Sequence, residues 1–267
     1  MRIASLHTYP IKGCRRVDHV AAAVEPWGLA GDRRWMVVDA GGVGITQRIV
    51  PALALLTVRP RPGGLTVSAP DSPDLDVAEP VDGPTEQVRV FRSSLPVPAR
   101  VAADAGWFRG CLGREARLVW LGDPTVRPVG EPGRDGDRVS FADGFPMLLT
   151  STASLDALND WLLEDGEEPV PMTRFRPNLV VTGAPAWAED GWVGGRLRIG
   201  GVPVRAAKPC DRCLVTTIDQ DTADVGRQPL RILGRYRRFA DGLMFGINLI
   251  PDGAGVLRVG DGVLGLS

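Results

Sequence analysis

The chain has 267 residues, 44% of them hydrophobic and 24% charged, and a formal net charge of −1 at pH 7. Those proportions suit a globular protein of one large or two ordinary domains. The balanced charge argues against a general nucleic-acid binder, whose footprint is a basic excess, and no apolar run approaches the ~18 residues of a membrane-spanning helix.

Glycine (33) and proline (23) are abundant, which favours many short strands and turns over long helices. The amino terminus, Met1 to Pro10, lacks the apolar core of a signal peptide. Four cysteines do not make a secreted disulfide framework. A cytoplasmic setting is expected, with neither nucleic acid nor membrane as partner.

In chain order, short runs bounded by Gly, Pro or Asp predict strands over Trp35–Val38, Leu53–Val58, Leu65–Ser68, Gln87–Phe91, Arg117–Leu121, Leu179–Thr182, Arg196–Ile199, Leu214–Ile218, Phe245–Ile250 and Val256–Val259. Two segments have helical periodicity. One runs from a cap at Asp104 to Leu112, pairing Trp107 with Cys111 and Phe108 with Leu112; the other runs from a cap at Ser154 to Leu163. Residues 69–85, rich in proline and acids, and 122–146, rich in Gly, Pro, Arg and Asp, read as long connections. Loops of that length are usually functional or disordered. A domain boundary is expected near residue 115.

The strongest chemical signal is Lys208-Pro209-Cys210-Asp211-Arg212-Cys213. It sets two thiols three residues apart between cations, which lower a thiol pKa from about 8.5. The pair has several readings: structural zinc, which wants four ligands; a redox pair, which normally opens a helix; a single thiolate ligand; or an inert buried pair. The β-branched run that follows, Leu214 to Ile218, is strand-like and speaks against the redox pair. Cys14 and Cys111 are single, and Cys111 looks packed into its helix. No phosphate-loop or dinucleotide fingerprint occurs. A histidine-dependent triad or a His-rich zinc site would have to use His7 or His19, the only histidines, and neither is expected to carry one.

Only two lysines, Lys12 and Lys208, occur among the 31 basic residues, and each stands beside a cysteine. Four turns place a cation at a strand end: Tyr9 to Cys14, Gly28 to Trp35, Phe175 to Asn178, and Lys208 to Cys213. Together they suggest a site assembled from distant loops to hold an anion, through charge-assisted bonds of roughly 1.5–3 kcal/mol each. The run Arg231 to Arg238 reads instead as a solvated face.

Tyr9-Pro10-Ile11-Lys12, Gly31-Asp32-Arg33-Arg34-Trp35-Met36-Val37-Val38-Asp39, Thr46-Gln47-Arg48, Phe141 to Pro146, Phe175-Arg176-Pro177-Asn178, Cys210 to Asp219 and Phe245-Gly246-Ile247-Asn248, in this order, resemble the MOSC proteins, named for the carboxy-terminal domain of molybdenum cofactor sulfurase. The similarity is closest to the two-part branch that includes the mitochondrial amidoxime-reducing component and its bacterial relatives. The resemblance implies a mostly β, α+β fold: an amino-terminal MOSC-associated β domain over 1–115 and a MOSC β-barrel over 116–267.

It also implies a molybdenum–molybdopterin cofactor. Cys213 would be the thiolate ligand of the metal, and metal coordination deprotonates a thiol outright. Asn248 would stand beside it in the catalytic site. Lys12, Gly13, Arg33, Asp143, Gly144, Phe145, Arg176, Asp211 and Arg212 would contact the cofactor. Gly13 and Gly144 stand where some relatives carry a hydroxyl residue. Lys208 and Arg212 would favour the thiolate by their charge, whereas Cys210 matches a family cysteine that is not a metal ligand. The implied activity is reduction of N-hydroxylated compounds. With no cysteine cluster after Cys213, electrons are expected from a separate donor protein, a ferredoxin or a flavoprotein reductase. A sulfur-carrying protein with a cysteine persulfide, or a non-catalytic molybdopterin-binding module, is the alternative.

Overall fold

In the computed structural model, residues 1–90, 95–103 and 105–266 are described. Asp104, expected to cap a helix, and Phe91, expected to end a strand, lie outside them.

A nine-stranded sheet dominates. Its path runs Val263–Leu266, Arg196–Ile199, Val202–Asp211, Gly242–Pro251, Met147–Ser151, Leu179–Thr182, Arg2–Thr8 and Val17–His19, with Arg238–Phe239 pairing off Gly242–Pro251. One face carries a cluster that includes Leu6, Met147, Leu179, Leu197, Val204, Ile247 and Leu249, all essentially without solvent contact. Met147–Ser151 and Leu179–Thr182 are parallel. Helix α2 (Thr152–Glu164) lies in the connection between them, as a parallel pair requires a long crossover. Among the described residues no helix is long and apolar enough to cross a membrane.

A five-stranded sheet, in the order Thr85–Val88, Val97–Ala103, Arg117–Trp120, Trp35–Val38, Ile11–Lys12, holds a separate core around Trp35, Val37, Leu53, Phe108 and Leu118. Helix α1 (Ala105–Leu112) contributes Phe108 to that core. Two three-stranded sheets complete the fold. Among the described residues it is mostly β, as expected, with three α-helices.

Hydrogen bonding crosses residue 115 in both directions. Arg2–Thr8 and Val17–His19 belong to the large sheet, whereas Arg117–Trp120 sits inside the smaller one. The division at 115 is therefore a proposal about units of sequence, and the sheets do not follow it.

Several local expectations are corrected. Residues 51–55 form a 3₁₀ turn with Pro51 at its start, and the strand begins only at Thr57. Leu214–Thr217 is also a 3₁₀ turn, so the strand lies before it, carries Cys210 and ends at Asp211. The residue that caps α2 is Ser151; Ser154 is buried and its Oγ accepts the Trp187 backbone N–H at 2.8 Å. Residues 69–85 contain the strand Leu75–Ala78. The arginine run lies in and after a third helix, α3 (Leu230–Tyr236). Its Arg237 is buried, ion-paired to Asp190 at 2.5 Å and stacked on Trp187.

Candidate functional site

The sheet ends and loops converge on a cavity of about 900 Å³. Behind two of its lining residues, Arg33 and Arg176, lies Tyr9. Burial pushes the Tyr9 phenol pKa up to about 12, and the phenol donates to the Pro177 carbonyl at 3.1 Å. The Arg33 and Arg176 guanidiniums lie on its ring, 4.5 and 4.3 Å from the centroid. Both arginines have left-handed backbones, φ 48° and 55°, a conformation that is uncommon outside glycine and clusters at functional sites. Arg33 is ion-paired with Asp32 and donates to Asn178 Oδ1 at 3.2 Å. Arg176 donates to Gln220 Oε1 at 3.0 Å and to the Cys14 carbonyl at 2.8 Å.

Lys12 ends the short strand that runs parallel to Trp35–Val38. Its buried ammonium donates to the Phe141 carbonyl at 2.8 Å and is ion-paired with Asp143. The Lys12 charge, supplemented by Arg48 and Arg33, holds the Asp143 carboxyl well below the usual carboxylate range. Gly13 follows at φ 85°, which a side chain would strain, and its carbonyl accepts from Gln47 Nε2 at 2.6 Å. Gly144 and Phe145 complete this lip of the cavity. The lip is held from behind by Arg127, which donates to the carbonyls of Ser140, Ala142 and Asp143.

The opposite lip carries the cysteines. Asp211 ends the long strand, and Lys208, Cys210, Arg212 and Cys213 all reach the cavity. Lys208 is paired in register with Asn248, whose Nδ2 donates to the Pro209 carbonyl at 3.3 Å. The Lys208 ammonium lies over the Phe145 ring, 5.9 Å from its centroid.

The cations are distributed differently from expectation. Arg212 Nη1 donates to Cys210 Sγ at 2.9 Å and its Nη2 to the Phe175 carbonyl at 2.6 Å. It is Arg48 whose Nη2 donates to Cys213 Sγ, at 2.8 Å. Arg48 stood in the Thr46-Gln47-Arg48 motif, but nothing in its spacing pointed to a thiol 165 residues away. Arg127 carried no sequence signal either. Burial raises the Cys210 thiol pKa despite Arg212.

Lys12, Gly13, Arg33, Asp143, Gly144, Phe145, Arg176, Asp211, Arg212, Cys213 and Asn248 thus all line one cavity. Cys14 is buried and Cys111 sits against the core of the smaller sheet. Neither joins the pair at positions 210 and 213, and among the described residues no group of three or more His, Cys, Asp and Glu could hold a metal ion. The cavity can instead offer a metal single soft sulfurs and offer an anion many N–H donors. Two residues of the cavity wall, Thr46 and Arg212, each keep one buried polar atom, Oγ1 and Nε, without a hydrogen-bond partner among the described residues.

The chain is mostly β, and its cavity is walled by residues from strand ends and loops of both larger sheets. The chain belongs to the MOSC family: residues 1–115 match the MOSC N-terminal beta barrel domain and residues 136–264 match the MOSC domain. It is 32% identical over 282 residues to human mitochondrial amidoxime-reducing component 1, covering 98% of this chain and 82% of that protein. Human mitochondrial amidoxime reducing component 2 is 33% identical over 283 residues, with the same coverage. Rice molybdenum cofactor sulfurase is 30% identical over 268 residues, covering 93% of this chain and 32% of the sulfurase.

Proposed function

We propose that this protein is a molybdenum-cofactor-dependent oxidoreductase that reduces N-hydroxylated compounds, namely amidoximes, hydroxylamines and N-hydroxylated bases, with electrons from a separate ferredoxin or flavoprotein reductase. The observation that carries the reading is the Cys213 sulfur, which faces a cavity walled by Lys12, Arg33, Arg48, Arg176, Lys208 and Arg212. The relatives named for amidoxime reduction support the substrate class.

The residues present fit the cofactor. A phosphate-bearing pterin wants cations and backbone donors from several loops, and a thiophilic metal wants a thiolate. In this reading Cys213 ligates the metal. Arg33 and Arg176 hold the anionic end over Tyr9, and Lys12, Gly13 and the Asp143–Phe145 lip, with Asp211 and Arg212, contact the remainder. When bound, the cofactor supplies two-electron redox chemistry at the metal. The chain positions it: Arg48 orients the sulfur, Asn248 presents its amide beside the Lys208 strand, and Arg127 fixes the lip that bounds the substrate side.

The reading is tested on protein made in a host that synthesises the cofactor. Stoichiometric molybdenum, pterin fluorescence and benzamidoxime reduction with a supplied donor are expected. Cys213→Ala should abolish turnover and release molybdenum, and Cys210→Ala should be milder. Equal loss from both changes, together with bound zinc, would defeat the assignment. A second reading has support from the presence of both sulfurs in the cavity and from the sulfurase relative: a carrier that holds a persulfide on Cys210 or Cys213. It requires cyanide-labile sulfur on metal-free protein.

A further inference from the structure

The two histidines set aside in the sequence lie together on a second cavity, of about 370 Å³. Strand Arg2–Thr8 runs along it, paired with Leu179–Thr182 on one side and Val17–His19 on the other. The register slips between Ile3 and Ser5, a bulge that leaves Ala4 as an extra residue. In a regular strand, positions three apart face opposite ways. Here Ile3 and Leu6 both join the central core, while Ser5 and His7 both reach the cavity. The bulge has re-aimed the strand, as bulges beside active sites do.

The re-aimed side chains form a connected series. Ser5 Oγ is 2.8 Å from His7 Nε2, and His7 Nδ1 is 2.7 Å from Asp18 Oδ1 on the neighbouring strand. With the Nδ1 proton donated to Asp18, Nε2 accepts the Ser5 hydroxyl. Asp18 is held in turn by Arg16 Nε at 2.8 Å. His7 is 3% exposed, and burial, followed by the Arg16 charge, lowers its pKa against the opposing pull of Asp18. The imidazole therefore rests neutral, the form a general base needs.

We propose that Ser5, His7 and Asp18 are a second catalytic centre: nucleophile, base and orienting carboxylate for hydrolysis of small carboxylic esters. The same three roles recur on unrelated folds, recognised by geometry and not by chain order. The substrate class follows from the cavity. Leu155, Met172 and Val180 give it an apolar wall, its volume suits a short acyl group, and the Arg16 cation faces the same space. Ser5 Oγ bonds to the acyl carbon as its proton passes to His7 Nε2. The bond from the acyl carbon to the alcohol oxygen breaks, and that oxygen takes the proton and leaves. Water then attacks the acyl carbon, giving a proton to Nε2; the carboxylic acid departs, and the proton returns to Ser5 Oγ.

The test uses the full chain in a Cys210→Ala, Cys213→Ala background, because thiols also attack activated esters. A fluorophosphonate probe is expected to modify Ser5, located by peptide mapping. Hydrolysis of p-nitrophenyl acetate is expected to fall about a hundredfold or more in Ser5→Ala and His7→Gln, the range a positioned base contributes. Buried His7 is a folding risk, so Ser5→Ala, which removes one partly buried hydroxyl, carries the test, with its melting temperature confirming the fold. Absence of modification at Ser5 in folded protein, or an unchanged hydrolysis rate in Ser5→Ala, overturns the proposal. Neither outcome bears on the molybdenum site.

Discussion

Arg48 reaches from the smaller sheet's connections to the Cys213 sulfur at 2.8 Å, and it shows how a single side chain joins distant sequence. A hydrogen bond with a charged partner contributes about 1.5–3 kcal/mol, which corresponds to roughly tenfold to a hundredfold in an equilibrium. Arg48→Ala is therefore expected to lower molybdenum occupancy by about that factor at limiting cofactor while the melting temperature stays within a few degrees. Metal content measured beside a thermal melt decides it; full occupancy would remove Arg48 from the site. Asp143 makes a different prediction. Lys12 depresses its folded pKa, so the carboxylate stabilises the fold above the ordinary Asp value of about 4, and that contribution is lost as pH falls through the depressed value. Burial lowers the Lys12 pKa as well, so for both partners the folded state binds fewer protons and stability rises with pH. Asp143→Asn should flatten the acid side of a melting-temperature profile, and a curve of unchanged slope there would contradict the pairing.

At the scale of elements, the sequence was legible where side-chain pattern and local bonding agreed. Leu179–Thr182 alternates nothing but is apolar, β-branched and flanked by Asn178 and Gly183, and it forms the strand those features predict. Leu214–Ile218 has the same β-branched content and forms a 3₁₀ turn, because Thr216 Oγ1 donates back to the Cys213 carbonyl and Thr217 Oγ1 to that of Leu214, both at 2.9 Å. The turn ends the strand before Cys213 and opens that residue to the cavity. The cation-bearing turns were also legible, since glycine, proline and charge mark them locally. The partner of each cation was not, because Arg48, Arg127 and Arg212 choose theirs through tertiary approach. The 3₁₀ turn Ala188–Trp192 carries a further prediction. Its Glu189 is fully buried, with the Ser154 hydroxyl beside its carboxyl. Burial raises its pKa. A raised folded pKa gives stability that is present below the ordinary Glu value of about 4.3 and is lost as pH rises through the folded one. Glu189→Gln should therefore gain on the wild type as pH rises from 4 to 8, read as a widening difference in melting temperature. A constant difference would mean that folding leaves the carboxyl pKa unshifted.

At the scale of the molecule, strands from either side of residue 115 cross into the other side's sheet. Residues 1–115 give Arg2–Thr8 and Val17–His19 to the large sheet and pair Ala21–Glu25 with Gly255–Arg258. In return, Arg117–Trp120 lies between Val97–Ala103 and Trp35–Val38, so its loss splits the five-stranded sheet. The cavity is divided in the same way: Lys12, Arg33 and Arg48 come from the first region, and Asp143, Arg176, Cys213 and Asn248 from the second. A fragment 116–267 would bare the backbone edge of Leu179–Thr182, and exposed edges template association. That fragment is expected to aggregate or to melt without cooperativity, and 1–115 is expected to lack a stable sheet. Co-expressed, the two should reassemble into a particle with the mass of the intact chain that retains molybdenum, while either fragment alone retains none. Size exclusion, circular dichroism and metal analysis on the three preparations test this. A monomeric 116–267 with a sharp thermal transition would show that the second region folds without its borrowed strands, and would restore the boundary at 115 as a division of structure as well as of sequence.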